Sequence, residues 1–367
     1  MNYRRTKAMA RKEFLHIIRD PRSLIMALAV PMMMLLLFSY ALSLDVDRIP
    51  TIVYDQDASP QSRELTARFA GSPYFEIISY AHSYAEVEKA IDRGDCIVAV
   101  VFPPDFAHHL RASKPTSVQI LLDGSDSNTG SIALSYAESV TNGYSMEILH
   151  RTPPVDARIR VWYNTDLKSH NFIIPGLVAV ILMIIASLLT SLTIAREWEN
   201  GTMEQLLSTP LRPVEIVVGK LAAFFLLGTA DSIIAIVSAV YVFDVPLRGN
   251  VLFLAITTGV FLVGVLTWGL FISSISGTQL MAYQIGLMTS FLPGFLLSGF
   301  IYAIDNMPVP IQVVTHIVPA RYFITILRAI FLKGVGPEIV WQELLFLVIY
   351  AIAVAAVATK KLKKKVA

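Results

Sequence analysis

The chain has 367 residues, of which 54% are hydrophobic and 16% are charged. This composition is typical of a membrane protein and excludes an ordinary soluble globular domain. The net charge of +2 gives no reason to expect a nucleic-acid partner, and the single cysteine, Cys96, excludes an intramolecular disulfide.

Residues 1–22 are predicted to form a cytoplasmic amphipathic helix that lies in the membrane interface. Its basic face carries Arg4, Lys7 and Arg11, and a second face is apolar, with Ala10, Phe14, Ile17 and Ile18. Pro21 ends this helix. An ordinary positively charged flank is compatible with the same pattern. Residues 23–44 follow as an uncharged run that is long enough to cross about 30 Å of hydrocarbon, which predicts the first span.

Residues 45–171 are predicted to form an inserted α/β domain, because short Val- and Ile-rich runs alternate with helical patterns. Strands are predicted at 49–54, 74–80, 96–102, 118–122 and 157–163, and helices at 59–70, 83–93, 104–113 and 128–150. No catalytic or metal site is expected there. Asp123, Asp126 and Asn128 lack the spacing of a calcium loop and predict a turn and a helix cap.

Residues 172–358 are predicted to be a five-span permease core. Spans are expected at 172–195, 217–243, 251–274, 281–304 and 340–358, followed by a basic tail at 359–367. Basic residues near both termini place both ends in the cytoplasm, which requires an even number of spans and gives six transmembrane helices. Residues 305–337 then form an outer re-entrant hairpin, residues 45–171 are extracytoplasmic, and the loop 196–216 is cytoplasmic.

The 196–216 loop contains a short predicted helix. Thr202 and Gln205 have the spacing of a capping box, while Met203, Leu206 and Leu207 share one face. Pro210 limits the helix to about two turns. Periodicity leaves two interpretations equally open: the helix docks into a groove on another protein, or it lies in the lipid interface.

Asp231 lies near the middle of the third span, where a carboxylate faces protein or water rather than lipid. It is either a transport or proton-linked group or a link between helices. Pro293 with Gly294 can break the fifth span. No GxxxxGK[ST] phosphate loop is present, so any ATPase must be another chain. The rival hypothesis is an ion-gradient-driven secondary transporter that uses Asp231, although the two halves show no convincing repeat.

One run of sequence resembles a known family. The pattern ARE-x-E-x-GT-x-EQLL-x-TP-x-RP-x-E-x-x-x-GK, from Ala195 to Lys220, looks like the signature of the membrane subunits of type-2 ATP-binding-cassette (ABC) exporters. The resemblance extends over the whole chain and includes RKEFLHIIRDPRSL, SGFIYAIDNMP and PARYF. It is closest to bacterial drug-efflux-type permeases with a large outer domain after the first span.

The resemblance implies a non-enzymatic permease of the bacterial inner membrane that binds no cofactor. Two permease subunits, identical or related, would work with separate cassette ATPases that hold ATP and Mg. A drug-like or lipid-like substrate would leave the cytoplasm or the inner leaflet, and the outer domain could meet a periplasmic adaptor. The implied ATPase-coupling residues are Phe14, Arg196, Glu197, Glu199, Gly201, Thr202, Glu204, Gln205, Leu206, Leu207 and Pro210. The expected pathway residues are Asp231, Pro293, Arg321 and Tyr322.

Overall fold

The computed structural model of the chain describes residues 2–41, 48–112, 114–125, 127–148, 163 and 168–366. The chain divides into two compact units. One comprises Leu44–Arg160, and the other comprises Met1–Ser43 together with Val161–Ala367. Each unit has its own hydrophobic core.

The elements are numbered in chain order. The chain starts with helices α1 (Tyr3–Arg19) and α2 (Pro21–Ala41). The Leu44–Arg160 unit contains β1 (Ile49–Asp55), α3 (Pro60–Gly71), β2 (Phe75–Tyr80), α4 (Tyr84–Asp92), β3 (Val98–Phe102), α5 (Phe106–Arg111), β4 (Gln119–Leu122) and α6 (Ser127–Ile148). The remainder contains α7 (Ser169–Glu199), α8 (Thr202–Leu207), α9 (Pro213–Tyr241), α10 (Val251–Ile275), α11 (Gln279–Leu296), α12 (Val309–Thr315), α13 (Pro319–Arg328) and α14 (Pro337–Val366).

The Leu44–Arg160 unit is built on a four-stranded mixed sheet with the order β2-β1-β3-β4. β1 is parallel to β2 and to β3, and β4 is antiparallel to β3. Every residue of β3 is buried, as expected for a central strand covered on both faces. Four of the five predicted strands are therefore present. The fifth, at 157–163, lies outside the described residues except for Tyr163.

Two apolar clusters hold this sheet between its helices. One contains Phe69 and Phe102 with Ala133, Ala137 and Tyr144 of α6. The other contains Val87, Ala90 and Cys96. The predicted turn before α6 is present, because the Asp123 carboxylate accepts the Ser125 backbone N–H at 2.9 Å.

Among the described residues of the second unit, four helices are long and apolar enough to cross a membrane: α7, α9, α10 and α14. α12 and the segment Pro319–Lys333 form a pair bent by 81°, which counts as a fifth span if it is taken as one broken helix. α2 runs unbroken over 21 residues, and its described apolar stretch is Ala27–Tyr40. The chain is thus a mostly helical, multi-pass membrane protein.

The predicted span at 281–304 is wrong in its extent. α11 begins after the Thr278 cap and ends at Leu296, three residues beyond Pro293. Pro293 lies inside the last turn, so it does not divide the helix into two halves. The Leu297 backbone N–H donates to the Pro293 carbonyl at 3.0 Å, which closes the helix at this point.

α7 lies at the centre of this unit. Of its most apolar 18 residues, 89% are buried, against 22–50% in the other three long helices. Small side chains allow its neighbours to approach closely. A Cβ at Gly269 of α10 would overlap the Ser187 carbonyl oxygen and the Thr190 hydroxyl of α7. α9, α10 and α14 therefore keep partly exposed faces, which are available to lipid or to another subunit.

Candidate functional site

The 196–216 loop lies where the end of α7, the short α8 and the start of α9 meet α1. α7 ends at Glu199 and α8 begins at Thr202. The sharp change of direction between them depends on Gly201, whose φ of 68° is in the left-handed region that side-chain-bearing residues rarely adopt. Two helices at a steep angle can therefore follow each other without a longer linker.

The predicted capping box of α8 is wrong. The residue in the N-cap position is Gly201, which has no side chain to accept a hydrogen bond. Instead, the Thr202 hydroxyl donates to the Glu197 carbonyl at 3.3 Å and ties α8 back to α7. The predicted length is right, because α8 ends at Leu207, three residues before Pro210.

The apolar face of α8 packs into its own subunit. Met203 is 0% exposed, within a cluster that includes Met9 of α1, Ile194 and Leu270, and Leu206 packs against this cluster. The prediction of an apolar face free to enter a partner's groove is therefore wrong for Met203. Met203 is enclosed by protein and therefore does not face lipid. Among the described side chains of this helix, Thr202, Glu204 and Gln205 are exposed.

A buried ion network joins α1, α7 and α9. The Lys220 ammonium lies 3.0 Å from the Glu13 carboxylate and 3.0 Å from the Glu197 carboxylate. The Lys12 ammonium lies 2.6 Å from Glu197 and 3.1 Å from Glu13. The Lys220 side chain is only 1% exposed and that of Glu13 only 5%. Two cations and two carboxylates thus compensate one another inside the protein, as burial requires.

The electrostatics of the network favour its charged form. Burial by itself raises the pKa of Glu13, but the Lys220 and Lys12 ammonium groups outweigh it, so that pKa lies below the usual 4.5. Burial by itself lowers the pKa of Lys12, yet the hydrogen bond to Glu197 and the charge of Glu13 raise it overall. Both groups are therefore ionised at neutral pH.

Further contacts fix the N-terminal end of α1 to the same loop. The Arg5 guanidinium donates to the Pro210 carbonyl at 2.6 Å. The Glu215 carboxylate accepts backbone N–H groups from Asn2 at 2.7 Å and from Arg212 at 3.1 Å. A Cβ at Gly219 would come within 2.7 Å of Met9, so α1 and α9 touch at their backbones. α1 is thus held against α9 along most of its length.

The end of α7 is also tied to the turn between α10 and α11. The Arg196 guanidinium donates to the Gln279 amide oxygen at 3.2 Å and lies 3.4 Å from the Asp20 carboxylate. The Glu199 carboxylate accepts the Gln279 backbone N–H at 2.9 Å. A displacement of α8 would therefore reach α1, α9 and α11 through direct polar contacts.

α1 also has a buried face that the amphipathic pattern did not distinguish. It contains Thr6, Met9, Glu13 and Ile17. Of the predicted apolar face, Ile17 is buried, whereas Phe14 is 41% exposed and Ile18 is 50% exposed, so these two side chains remain available to the predicted membrane interface. Glu13 belongs to the buried face because its carboxylate pairs with Lys220.

Sequence reasoning missed Lys12, Glu13 and Lys220 as site residues. Lys220 is the last residue of the signature, and it pairs with Glu197 near the start of the signature. The sequence does contain a signal for Glu13. Met9, Glu13 and Ile17 recur at four-residue steps, so one carboxylate lies in an otherwise apolar stripe and needs a buried cation.

The four expected pathway residues do not form one cluster. Asp231, only 4% exposed, lines a void of about 10 Å³ with Ala27, Leu182 and Leu262, between α2, α7, α9 and α10. Arg321 and Tyr322 lie instead at the bend between α12 and α13. There the Arg321 guanidinium donates to the Thr315 hydroxyl, and the Tyr322 ring stacks on Phe346 with centroids 3.8 Å apart. Pro293 is inside α11.

Comparison with known proteins gives the family. A sequence model for "ABC-2 family transporter protein" matches residues 21–360. The chain is 35% identical to the probable multidrug ABC transporter permease YbhS of Escherichia coli over 371 residues, covering 100% of this chain and 98% of the relative. It is 32% identical to the probable multidrug ABC transporter permease YbhR of the same organism over 367 residues, covering 99% and 100%.

A more distant relative is the inner membrane transport permease YhhJ of Escherichia coli, 26% identical over 357 residues that cover 91% of this chain and 93% of the relative. The matches to YbhS and YbhR span both units of the fold and the whole 196–216 loop. The chain therefore belongs to the ABC-2 transporter family, as a multi-pass ABC transporter permease.

Proposed function

We propose that this chain is the transmembrane subunit of an ATP-driven exporter that moves drug-like or lipid-like amphiphiles out of the cytoplasm or the inner leaflet. The observation that carries the proposal is the attachment of α8. Its apolar residue Met203 is anchored in a cluster with Met9 and Ile194, while the Glu204 side chain is exposed. A short helix that is fixed on one side and exposes a carboxylate on the other is suited to contact a partner protein that displaces it.

The polar contacts around α8 provide a route by which a displacement of α8 would reach other helices. ATP and Mg would be bound by a separate cassette ATPase, and closure of the ATPase would displace α8. The ion network of Lys12, Glu13, Glu197 and Lys220 would carry this displacement to α1 and α9. Arg196 and Glu199 would carry it to α11 through Gln279. This role for the 196–216 loop, and for the exposed Phe14 of α1, is the proposal's central element.

The proposed topology has six spans, with α2 and α11 added to the four long helices. Both termini and the 196–216 loop would be cytoplasmic, and the Leu44–Arg160 unit would lie outside, where an adaptor could bind it. The segment Asp305 to Pro337 would be a re-entrant hairpin at the outer face, consistent with the 81° bend inside it. A broken helix at this depth needs protein around it, and Phe323 and Ile326 of α13 are fully buried.

A second permease subunit would complete the pathway, since the exposed apolar faces of α9, α10 and α14 leave room for a partner. Asp231, Pro293, Arg321 and Tyr322 are proposed to influence this pathway from separate places. A gradient-driven mechanism centred on Asp231 is the weaker proposal, because that side chain is enclosed within one subunit.

The test is co-expression with candidate cassette ATPases from the same genome, followed by purification in nanodiscs. Glu204→Lys reverses an exposed charge and should leave folding within about 0.5 kcal/mol of wild type. It should weaken ATPase association by roughly tenfold or more, because a charged contact of the interface is replaced by a repulsive one.

Glu338→Lys is the matched control, because it makes the same charge change at an exposed position at the start of α14. It should bind the ATPase like wild type. Equal association of the ATPase with wild type and Glu204→Lys would contradict the assignment of α8. Failure of the wild-type chain to bind any cassette ATPase would contradict the proposal as a whole.

A further inference from the structure

A cavity of about 840 Å³ lies beside the ion network, within the membrane unit. It is bounded by α1, the last turns of α7, α8, the start of α9 and the start of α11. Its volume is within the range of sites that hold one drug-sized or lipid-like molecule. The hydrogen bonds and ion pairs described above do not explain why this space is left open.

The cavity has two chemically different walls. One wall is apolar and includes Ile185, Leu188, Leu192 and Phe224. The other includes the ion network and the polar side chains of Asn200, Gln205 and Tyr283. From Ile185 to Arg196 the cavity follows α7 for about 16 Å at 1.5 Å per residue, close to half of a hydrocarbon core of about 30 Å. This shape fits an amphiphile with its tail in one leaflet.

The charged groups of the lining leave no net charge. Three cations, Lys12, Lys220 and Arg196, are balanced by the carboxylates of Glu13, Glu197 and Asp20. Each cation lies within 3.4 Å of one of these carboxylates. Among the described lining residues, a head group with a net charge finds no unpaired charge of opposite sign, so the cost of removing it from water is not compensated.

Neutral hydrogen-bonding groups are available in the same wall. The side chains of Asn200, Gln205 and Tyr283 are exposed and, within the part of the chain that the structure describes, donate or accept no hydrogen bond from another residue. They lie at the end of the cavity near α8 and α11, opposite the apolar residues of α7. An uncharged or zwitterionic head group can bind there without breaking an ion pair.

We propose that this cavity binds one amphiphile without net charge, with its tail against α7 and its head at Asn200, Gln205 and Tyr283. The site rests on the proposed function for its role, since α8 and the ion network form part of its wall. An occupant therefore touches the elements that the ATPase would move, and its presence is communicated to ATP hydrolysis. The same chemistry describes a zwitterionic membrane lipid and an uncharged amphiphile from the cytoplasm.

The test uses fluorescence from inside the cavity. A bimane label is placed on Leu192→Cys in a Cys96→Ser background, and the protein is reconstituted in nanodiscs of phosphatidylglycerol alone. Lysophosphatidylcholine should change the bimane emission in a saturable manner. Lysophosphatidylglycerol and an alkyltrimethylammonium of equal chain length should bind at least tenfold more weakly. A titration with dodecyl maltoside distinguishes the two sources of ligand. If dodecyl maltoside binds more tightly than lysophosphatidylcholine, the ligand is an uncharged amphiphile from the cytoplasm. If it binds more weakly, the ligand is a zwitterionic membrane lipid.

The double variant Asn200→Ala/Tyr283→Phe should weaken lysophosphatidylcholine binding roughly tenfold, because two hydrogen bonds are lost. A label at Ile256→Cys, on the exposed face of α10 outside the cavity, reports general partitioning into the bilayer and should show no saturation. Saturable binding at Leu192 that is lost in the double variant supports the site. An equal response at both label positions, or equal affinity for the charged probes, overturns it.

The outcome is independent of the ATPase experiment, because the titration contains no ATPase. Loss of the cavity signal in a protein that still binds its ATPase would refute this site and leave the proposed function intact. A protein that binds the amphiphile but no ATPase would refute the proposed function and keep the site.

Discussion

Replacing Lys220 by methionine tests the ion network most sharply. Methionine has a similar length and no charge, so Lys220→Met leaves the volume nearly unchanged and removes two contacts of 3.0 Å. Removing one partner of a buried pair costs about 3–5 kcal/mol, because the remaining charge is left uncompensated. Lys12 still lies next to both carboxylates, so we expect the lower end, about 3 kcal/mol.

Lys12→Met is the matched control. It removes contacts to the same two carboxylates, but the Lys12 side chain is 51% exposed, so the expected loss is at most about 1 kcal/mol. The double variant Glu13→Gln/Lys220→Met removes one charge of each sign and leaves the Lys12–Glu197 pair at 2.6 Å. It should recover most of the stability that Lys220→Met loses.

The free energy of unfolding is measured by titration with sodium dodecyl sulfate in mixed micelles, with tryptophan fluorescence as the signal. The account requires Lys220→Met to be less stable than Lys12→Met by about 2 kcal/mol. Equal losses in the two single variants, or strict additivity of Glu13→Gln and Lys220→Met, would refute the reasoning.

Three further predictions concern packing, pH and orientation. Gly269→Ala should destabilise the protein by roughly 1–3 kcal/mol, because its Cβ would overlap the Ser187 carbonyl; Gly143→Ala, with nothing within 4 Å, should be harmless in the same unfolding titration. The folded-state pKa of Glu13 is lowered below 4.5, so its stabilising contribution is complete above pH 4.5 and is lost as the pH falls through the folded value. The unfolding free energies of wild type and Glu13→Gln should therefore converge on acidification below pH 4.5, and a constant difference would contradict the network. Ser125→Cys in a Cys96→Ser background should react with a membrane-impermeant maleimide added outside spheroplasts, and labelling only after lysis would reverse the proposed topology.

Much of the secondary structure could be predicted from the sequence, because local patterns determine it. Long apolar runs predicted α7, α9, α10 and α14, and β-branched runs predicted β1 and β3. The ends of elements were harder. α11 ends at Leu296, near Pro293, although the apolar run continues to Ile304. Hydropathy predicts which residues can be buried, but it does not predict where the backbone stays helical. A proline limits the length of a helix even when the apolar run continues.

The orientation of side chains could not be predicted from periodicity alone. The apolar residues of α8 were correctly grouped on one face, but their spacing does not tell whether that face meets the same subunit, a partner or lipid. Met203 lies in one cluster with Met9, which is distant in sequence. On α1, the buried face contains Glu13 because its carboxylate pairs with Lys220. The two residues are 207 positions apart, so no local pattern reveals this pair. Only the tertiary structure brings such charges together.

The most direct test of the central claim is transport by the reconstituted complex. The chain and its cassette ATPase would be placed in liposomes with ionophores that abolish proton and sodium gradients, and movement of a fluorescent amphiphilic dye would be followed. The account predicts dye movement that requires ATP and is lost in Glu204→Lys, while Glu338→Lys transports like wild type. Movement that needs no ATP and stops when the ionophores are added would contradict it.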